Sequence, residues 1–252
     1  MRVRRVNRAV LNLRQAHRAV WHLFSWWLNT PTLPRPLAVL QAFLDRRAEE
    51  VWGHVWVSGR RILISLGVGL VLGVPLGLYL GRNRRLDAIT APFIHLTYPI
   101  PKIVFLPLLL IFLGLGDASR VVLITLAIFF QILVTTRDAA RSLPQAAIYS
   151  IQSLGGTEWD VYRHVLFPYV LPRIFTALRI SIGTAVAVLF FAESFATNSG
   201  LGYFIMDSWG RTDYERMFAG IVAMSLLGLT LYLGLETLEY WLCPWEFRGR
   251  AR

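Results

Sequence analysis

Three ionisable residues fall inside otherwise apolar stretches of this sequence: Lys102, Arg179 and Glu193. A catalyst or proton relay built inside a membrane needs ionisable groups that meet one another. The surrounding apolar runs place these three at different depths. Other constellations that do chemistry are missing. No GxxxxGK[ST] loop is present to cradle a nucleotide's phosphates. His17, His22, His54, His95 and His164 show no paired spacing that would hold a metal. No GxSxG nucleophile turn occurs. The single cysteine, Cys243, has no partner for an internal disulfide and no metal cluster around it. The expectation is a chain that is not an enzyme and binds no metal or cofactor. Any energy it uses must come from elsewhere.

The elements around these residues are membrane elements. The chain has 252 residues, 55% hydrophobic and 16% charged, where soluble domains carry about 25% charged residues. This predicts an all-α integral membrane protein with five to six transmembrane helices. The net charge of +11 rests on 25 arginines and a single lysine. The arginines sit at the ends of apolar segments, a topology pattern and not a nucleic-acid face. Residues 1–18 carry six arginines and no acid, which predicts a cytoplasmic tail or contact with anionic lipid headgroups. Val20 to Leu28 is apolar but short for a span; it is a strained first span or an interfacial helix. Residues 37–57 are amphipathic and predict a helix along the outer surface. Residues 1–57 thus form an N-terminal region, 58–245 the transmembrane domain, and 246–252 a basic cytoplasmic tail.

Within the domain, Ile62 to Leu80 is an uncharged span containing Pro75. Its Gly67, Gly69, Gly73 and Gly77 permit close helix packing. Pro99-Ile100-Pro101 breaks the next apolar run, predicting a membrane-surface helix before it and a span from about Ile103 to Leu115. Val121 to Thr136, Ile174 to Ala192 and Met217 to Leu235 are further spans. Phe195 to Arg216, with its NSGLGY turn, is expected outside as a re-entrant or gate-capping segment. The basic loops and the C-terminus fall on one side, predicted cytoplasmic.

The longest stretch that cannot lie in a bilayer is Gln145 to Pro172, within a loop bounded at 138–172. Ala147, Ile151 and Leu154 have helical spacing. Gly155-Gly156 breaks that helix. Thr157 can cap a second one, with Asp160 three residues on. The second helix carries Trp159, Tyr162, Val165 and Leu166 on one face and is expected to end near Pro168. A helix, Gly-Gly, helix unit with one apolar face outside the bilayer needs a partner.

These stretches resemble the permease subunits of binding-protein-dependent ABC importers, whose cytoplasmic loop reads EAA, three residues, Gly, nine residues, Ile-x-Leu-Pro. Gly155 matches the family glycine, and Val165, Phe167 and Pro168 match the motif's end. Tyr149, Ser150 and Ile151 stand where Glu-Ala-Ala is usual, a departure from the pattern. LGGTEWDVYRHVLFPYVLPRIFTALRISIG, LGVPLGLYLGRNRRLDAITAPFIHLTYPIPKIVFLPLLLIFLGLG and NSGLGYFIMDS read like the nitrate, sulfonate, taurine and bicarbonate branch. The resemblance runs from Leu33 to Trp241. It implies a type I importer permease fold in the bacterial inner membrane. Tyr149, Ser150, Ile151, Leu154, Gly155, Gly156, Trp159, Tyr162, Val165 and Pro168 would then couple to a cytoplasmic ATPase. It also implies a second permease copy, two ATP-binding subunits that use ATP and Mg, and a periplasmic or lipid-anchored solute-binding protein. Polar candidates for the pathway or gate are Thr97, Gln131, Arg179, Ser181, Thr184, Glu193, Ser194 and Asn198. Gln131 could instead be helix–helix glue, Arg179 could snorkel, and Glu193 could cap the outer loop. A secondary transporter or channel, or a membrane scaffold, are the alternatives.

Overall fold

The structure is a computed structural model that describes residues 32–44 and 48–248. The Val20 to Leu28 expectation lies outside them. All regular elements among the described residues are helical. They run α1 (Pro36–Leu44), α2 (Ala48–Arg82), α3 (Arg84–Thr97), a 3₁₀ turn (Lys102–Phe105) leading into α4 (Leu106–Leu113), and α5 (Asp117–Arg141). Then come α6 (Gln145–Ser153), α7 (Glu158–Val161), a π turn (Tyr162–Leu166), α8 (Phe167–Ser194), α9 (Leu201–Gly210), α10 (Tyr214–Leu242) and α11 (Pro244–Arg248).

Among the described residues, four stretches are long and apolar enough to cross a membrane: Glu50–Arg82, Asp117–Arg141, Glu158–Ser194 and Tyr214–Leu242. The pair α3 and Lys102–Leu113, bent by 81°, makes a fifth if counted as one span. The break falls at Pro99 and Pro101, as their missing N–H groups dictate. We call the end with Arg61, Asp117 and Glu193 upper, and the end with Arg82, Arg141 and the 142–166 loop lower. The main core joins Ile62 and Leu66 of α2, Ile124, Ile128 and Ile132 of α5, and Leu178, Ile182 and Leu189 of α8.

Helix α2 lies against α5 along glycines four residues apart. A methyl group at Gly73 would sit 3.1 Å from Ile132, at Gly77 2.7 Å from Thr136 Cβ, and at Gly81 2.6 Å from Ala140 Cβ. The packing reading of Gly69, Gly73 and Gly77 therefore holds, and Gly81 extends it. Gly67 faces open space and takes no part.

Two boundaries differ from expectation. Residues 48–57 do not belong to a separate surface helix; they are the first turns of α2. The intervening Arg60 and Arg61 do not stop the helix, because both pair with Asp117. The helix after Thr157 does not end near Pro168 either. It passes through the π turn into α8, where Pro168 occupies the first turn. There the Phe167 N–H bonds to the Tyr162 carbonyl, five residues back. A wider turn accommodates a proline that cannot donate to the usual partner.

Candidate functional site

The loop at the lower end builds from its turn residues. Helix α6 stops where Gly155 takes a φ of +81°, a conformation that favours glycine. The Gly155 N–H bonds to the Gln152 carbonyl at 3.0 Å, and the Gly156 N–H to the Ile151 carbonyl at 3.0 Å. A side chain on Gly156 would collide with Ile151. Thr157 and Asp160 then form the expected capping box: the Thr157 N–H donates to Asp160 Oδ2 at 2.8 Å, and the Asp160 N–H to Thr157 Oγ1 at 3.3 Å. Glu158 accepts from Gln152 at 3.1 Å and from Arg82 at 3.4 Å, which ties the loop to the foot of α2.

The expected single apolar face divides in two. Ala147, Ile151, Tyr162 and Val165 pack against the chain's own core, and Val161 and Leu166 are fully buried within it. Tyr149, Leu154 and Trp159 remain 63%, 84% and 70% exposed. The π turn explains how the buried side is kept continuous. Val161 and Leu166 are five residues apart and would diverge by about 140° on a regular α-helix; the wider turn brings both to the core. Ser150 donates to the Ala146 carbonyl at 2.8 Å. Pro168 belongs to the start of α8.

Half-way along the spans, Gln131 of α5 meets two residues of α8. It donates to Thr184 Oγ1 at 3.2 Å and accepts from Ser181 Oγ at 3.1 Å. These contacts join helices, as the glue reading of Gln131 predicts. Thr97 bonds its own helix at the Phe93 carbonyl, 2.6 Å away. Ser194 does the same with Phe190 at 2.7 Å, and Asn198 is exposed. Arg179 does not snorkel free. It ion-pairs with Glu239 of α10 and contacts Thr176 Oγ1 at 3.3 Å. The pair lines a cavity of about 610 Å³ with Tyr169, Arg173, Glu236 and Trp245. Nearby, Cys243 is buried, and burial pushes its thiol up to about 11.

The upper end holds a buried ionic knot. Glu193 has no solvent exposure. Its carboxylate accepts from Ser58 at 2.8 and 2.9 Å, from Arg61 at 2.7 Å and from the Gly202 N–H at 3.0 Å. Gly200, at φ +105°, passes so close to this carboxylate that any side chain there would overlap it. Arg61 also reaches Asp117 at 2.5 Å and Ser199 Oγ at 3.1 Å. Arg120, likewise without exposure, donates to the carbonyls of Leu115, Gly116, Phe195 and Ala196 at 2.5, 2.7, 3.2 and 2.6 Å. Glu193 thus anchors the 195–200 loop and the start of α9, in agreement with its capping reading. Sequence reasoning missed Arg61, Arg120, Ser58 and Glu239. A glutamate closing a span, followed by Gly-Leu-Gly, was the available signal.

The fold defines a polytopic helical membrane protein. Over residues 71–242 the chain matches the family of binding-protein-dependent transport system inner membrane components, and it belongs to that family. It is similar to the taurine transport system permease protein TauC of Escherichia coli, 32% identical over 88% of this chain and 85% of that one. It is also similar to the putative aliphatic sulfonates transport permease protein SsuC of the same species, 30% identical over 90% of this chain and 88% of that one. The inward-facing MetNI methionine ABC transporter structure superposes with a TM-score of 0.64 at 20% identity, covering 75% of this chain and 94% of that chain. The fold is therefore the type I ABC importer permease fold.

Proposed function

We propose that this chain is the permease subunit of an ATP-driven importer for a small anion of the sulfonate or taurine type, the class that also includes nitrate and bicarbonate carriers. The observation that carries the coupling part is the uncovered set Tyr149, Leu154 and Trp159 on an ordered helix, Gly-Gly, helix unit. An apolar helix face of this kind docks in a groove of a soluble partner. The names of its relatives support the solute class. In this reading the lower end and the C-terminus are cytoplasmic. Two ATP-binding subunits dock there, a second permease copy completes the pathway, and a solute-binding protein delivers from outside. ATP-driven closure of the two ATPases draws the two loops together and rocks the permeases from inward-open to outward-open. Gly155 sets the angle at which Leu154 and Trp159 meet the partner.

The test is affinity purification in mild detergent with identification of what co-purifies. A Walker-motif ATPase is expected with the wild type and is expected to be lost in Trp159→Asp. A permease that never carries an ATPase, in any mild detergent, would overturn the reading.

A further inference from the structure

Lys102 is the chain's single lysine, and its place in the fold is unlike that of any arginine described above. Its ammonium lies 5.0 Å from the centre of the Phe130 ring. Phe130 stands thirteen residues from the upper end of α5 and eleven from its lower end. The charge is therefore held near mid-depth of the spans, the level at which Gln131, Ser181 and Thr184 meet. It sits at the 81° break between α3 and the Lys102–Leu113 helix. There the ammonium donates to the carbonyls of Thr97, Tyr98 and Ile100 at 2.6, 3.3 and 2.7 Å.

These carbonyls orient the ammonium and satisfy its protons, and the C-terminal end of α3 favours a positive charge. They do not cancel it. Every other interior cation described above has a carboxylate, except Arg120, which is also held by carbonyls but lies in the first turn of α5 at the upper end of the spans. None of the ion pairs among the described residues includes Lys102. A net charge at membrane depth is costly and is retained where it faces a polar cavity or a charged ligand. Unwound backbone at that depth is tolerated only where it is buried in protein or lines such a cavity. Two independent features, the uncompensated cation and the broken helix, meet at one point.

We propose that Lys102 is the group that meets the negative charge of the transported solute half-way across the membrane. The ligand class is a small monovalent oxyanion, with sulfonates as the type. The inference rests on the transport reading above and gives it an anion-binding residue. Lys102 would act by Coulomb attraction in a low-dielectric setting. The carbonyls hold it at the helix break, so that the charge stays at one depth as the two permeases rock.

The first test needs no ATPase. Thr97→Cys, made in the full chain and studied in membrane vesicles, is treated with an anionic ethylsulfonate thiosulfonate and with a cationic ethylammonium thiosulfonate. The buried native Cys243 serves as the background control. With Lys102 present, the anionic reagent is expected to gain at least about tenfold in relative rate over Thr97→Cys, Lys102→Gln. Glutamine keeps two N–H donors for the carbonyls and removes the charge with the third. An unchanged ratio, or a cysteine that neither reagent reaches, would overturn the proposal. The second test uses the assembled transporter in proteoliposomes with taurine. Lys102→Gln is expected to lower uptake at least about tenfold, and Lys102→Arg to restore most of it. Wild-type uptake by Lys102→Gln would overturn the proposal with the transport reading intact. A wild-type chain that binds no ATPase would defeat the transport reading and leave the labelling result standing.

Discussion

The two ends of the helix bundle solve opposite problems. At the upper end, polar groups are buried and every oxygen of Glu193 has a donor: Ser58, Arg61 and the Gly202 N–H. At the lower end, apolar side chains are left in the open, with Leu154 84% exposed. A carboxylate taken out of water is tolerated only when fully paired, so the upper end is closed within this chain. An exposed apolar cluster gains free energy only when something covers it, and in the proposed reading a partner subunit covers the lower end. In that reading the same chain carries one self-sufficient joint and one open one. They sit beyond opposite ends of α8, a helix of 28 residues.

The comparison breaks first at Glu193. Glu193→Leu removes the carboxylate and leaves Arg61 with Asp117 and Ser199, and the Gly202 N–H and Ser58 without their acceptor. Removing one partner of a buried pair costs about 3–5 kcal/mol. Thermal unfolding in detergent is expected to show this as the largest loss of any single change considered. A stability equal to wild type would mean that the upper end is not a closed joint. A smaller effect is expected in the α2–α5 contact. Gly77→Leu forces a side chain against Thr136 Cβ, 2.7 Å from where its Cβ must lie. Overpacking of this sort costs about 1–3 kcal/mol. The same assay reads it, and an unaltered protein would mean that the helices part freely.

Much of the lower end was legible in the sequence, because its determinants are local. Gly-Gly stops a helix, Thr157 with Asp160 starts one, and hydrophobic spacing marks the faces. What escaped was the π turn. It follows from Pro168 meeting a helix that tertiary packing compels to continue, and it lets Val161 and Leu166, five residues apart, both reach the core. The upper end was nearly illegible. Ser58, Arg61, Asp117, Glu193 and Gly202 are brought together from four helices, and no local pattern records which charge finds which. Arg179 illustrates the same gap. Its position inside a span was plain, yet its partner Glu239 lies 60 residues away. The break at Pro99 and Pro101 was readable from proline chemistry. The depth at which it leaves Lys102 was not, because that depends on α5 lying alongside.

The smallest effect on stability is expected where the comparison is sharpest. Leu154 touches solvent over most of its surface and follows α6 at the turn. Replacing it by serine removes apolar area that the isolated chain never buries. Surface changes away from caps and cores stay within about 0.5 kcal/mol, and Leu154→Ser keeps Gly155, Gly156 and the Thr157 cap. The unfolding midpoint in detergent is therefore expected to match wild type. The assembled transporter is expected to differ: a leucine seated in a partner's pocket contributes about 1.5–3 kcal/mol, a loss of roughly ten- to a hundredfold in affinity for the ATPase. Measured by titrating the ATPase against the detergent-solubilised permease, that split between an unchanged fold and a weakened complex separates an open joint from an ordinary loop. Loss of both together would make Leu154 part of the fold. Loss of neither would leave the exposed cluster without a partner at this position, and Tyr149 and Trp159 would have to carry the docking alone.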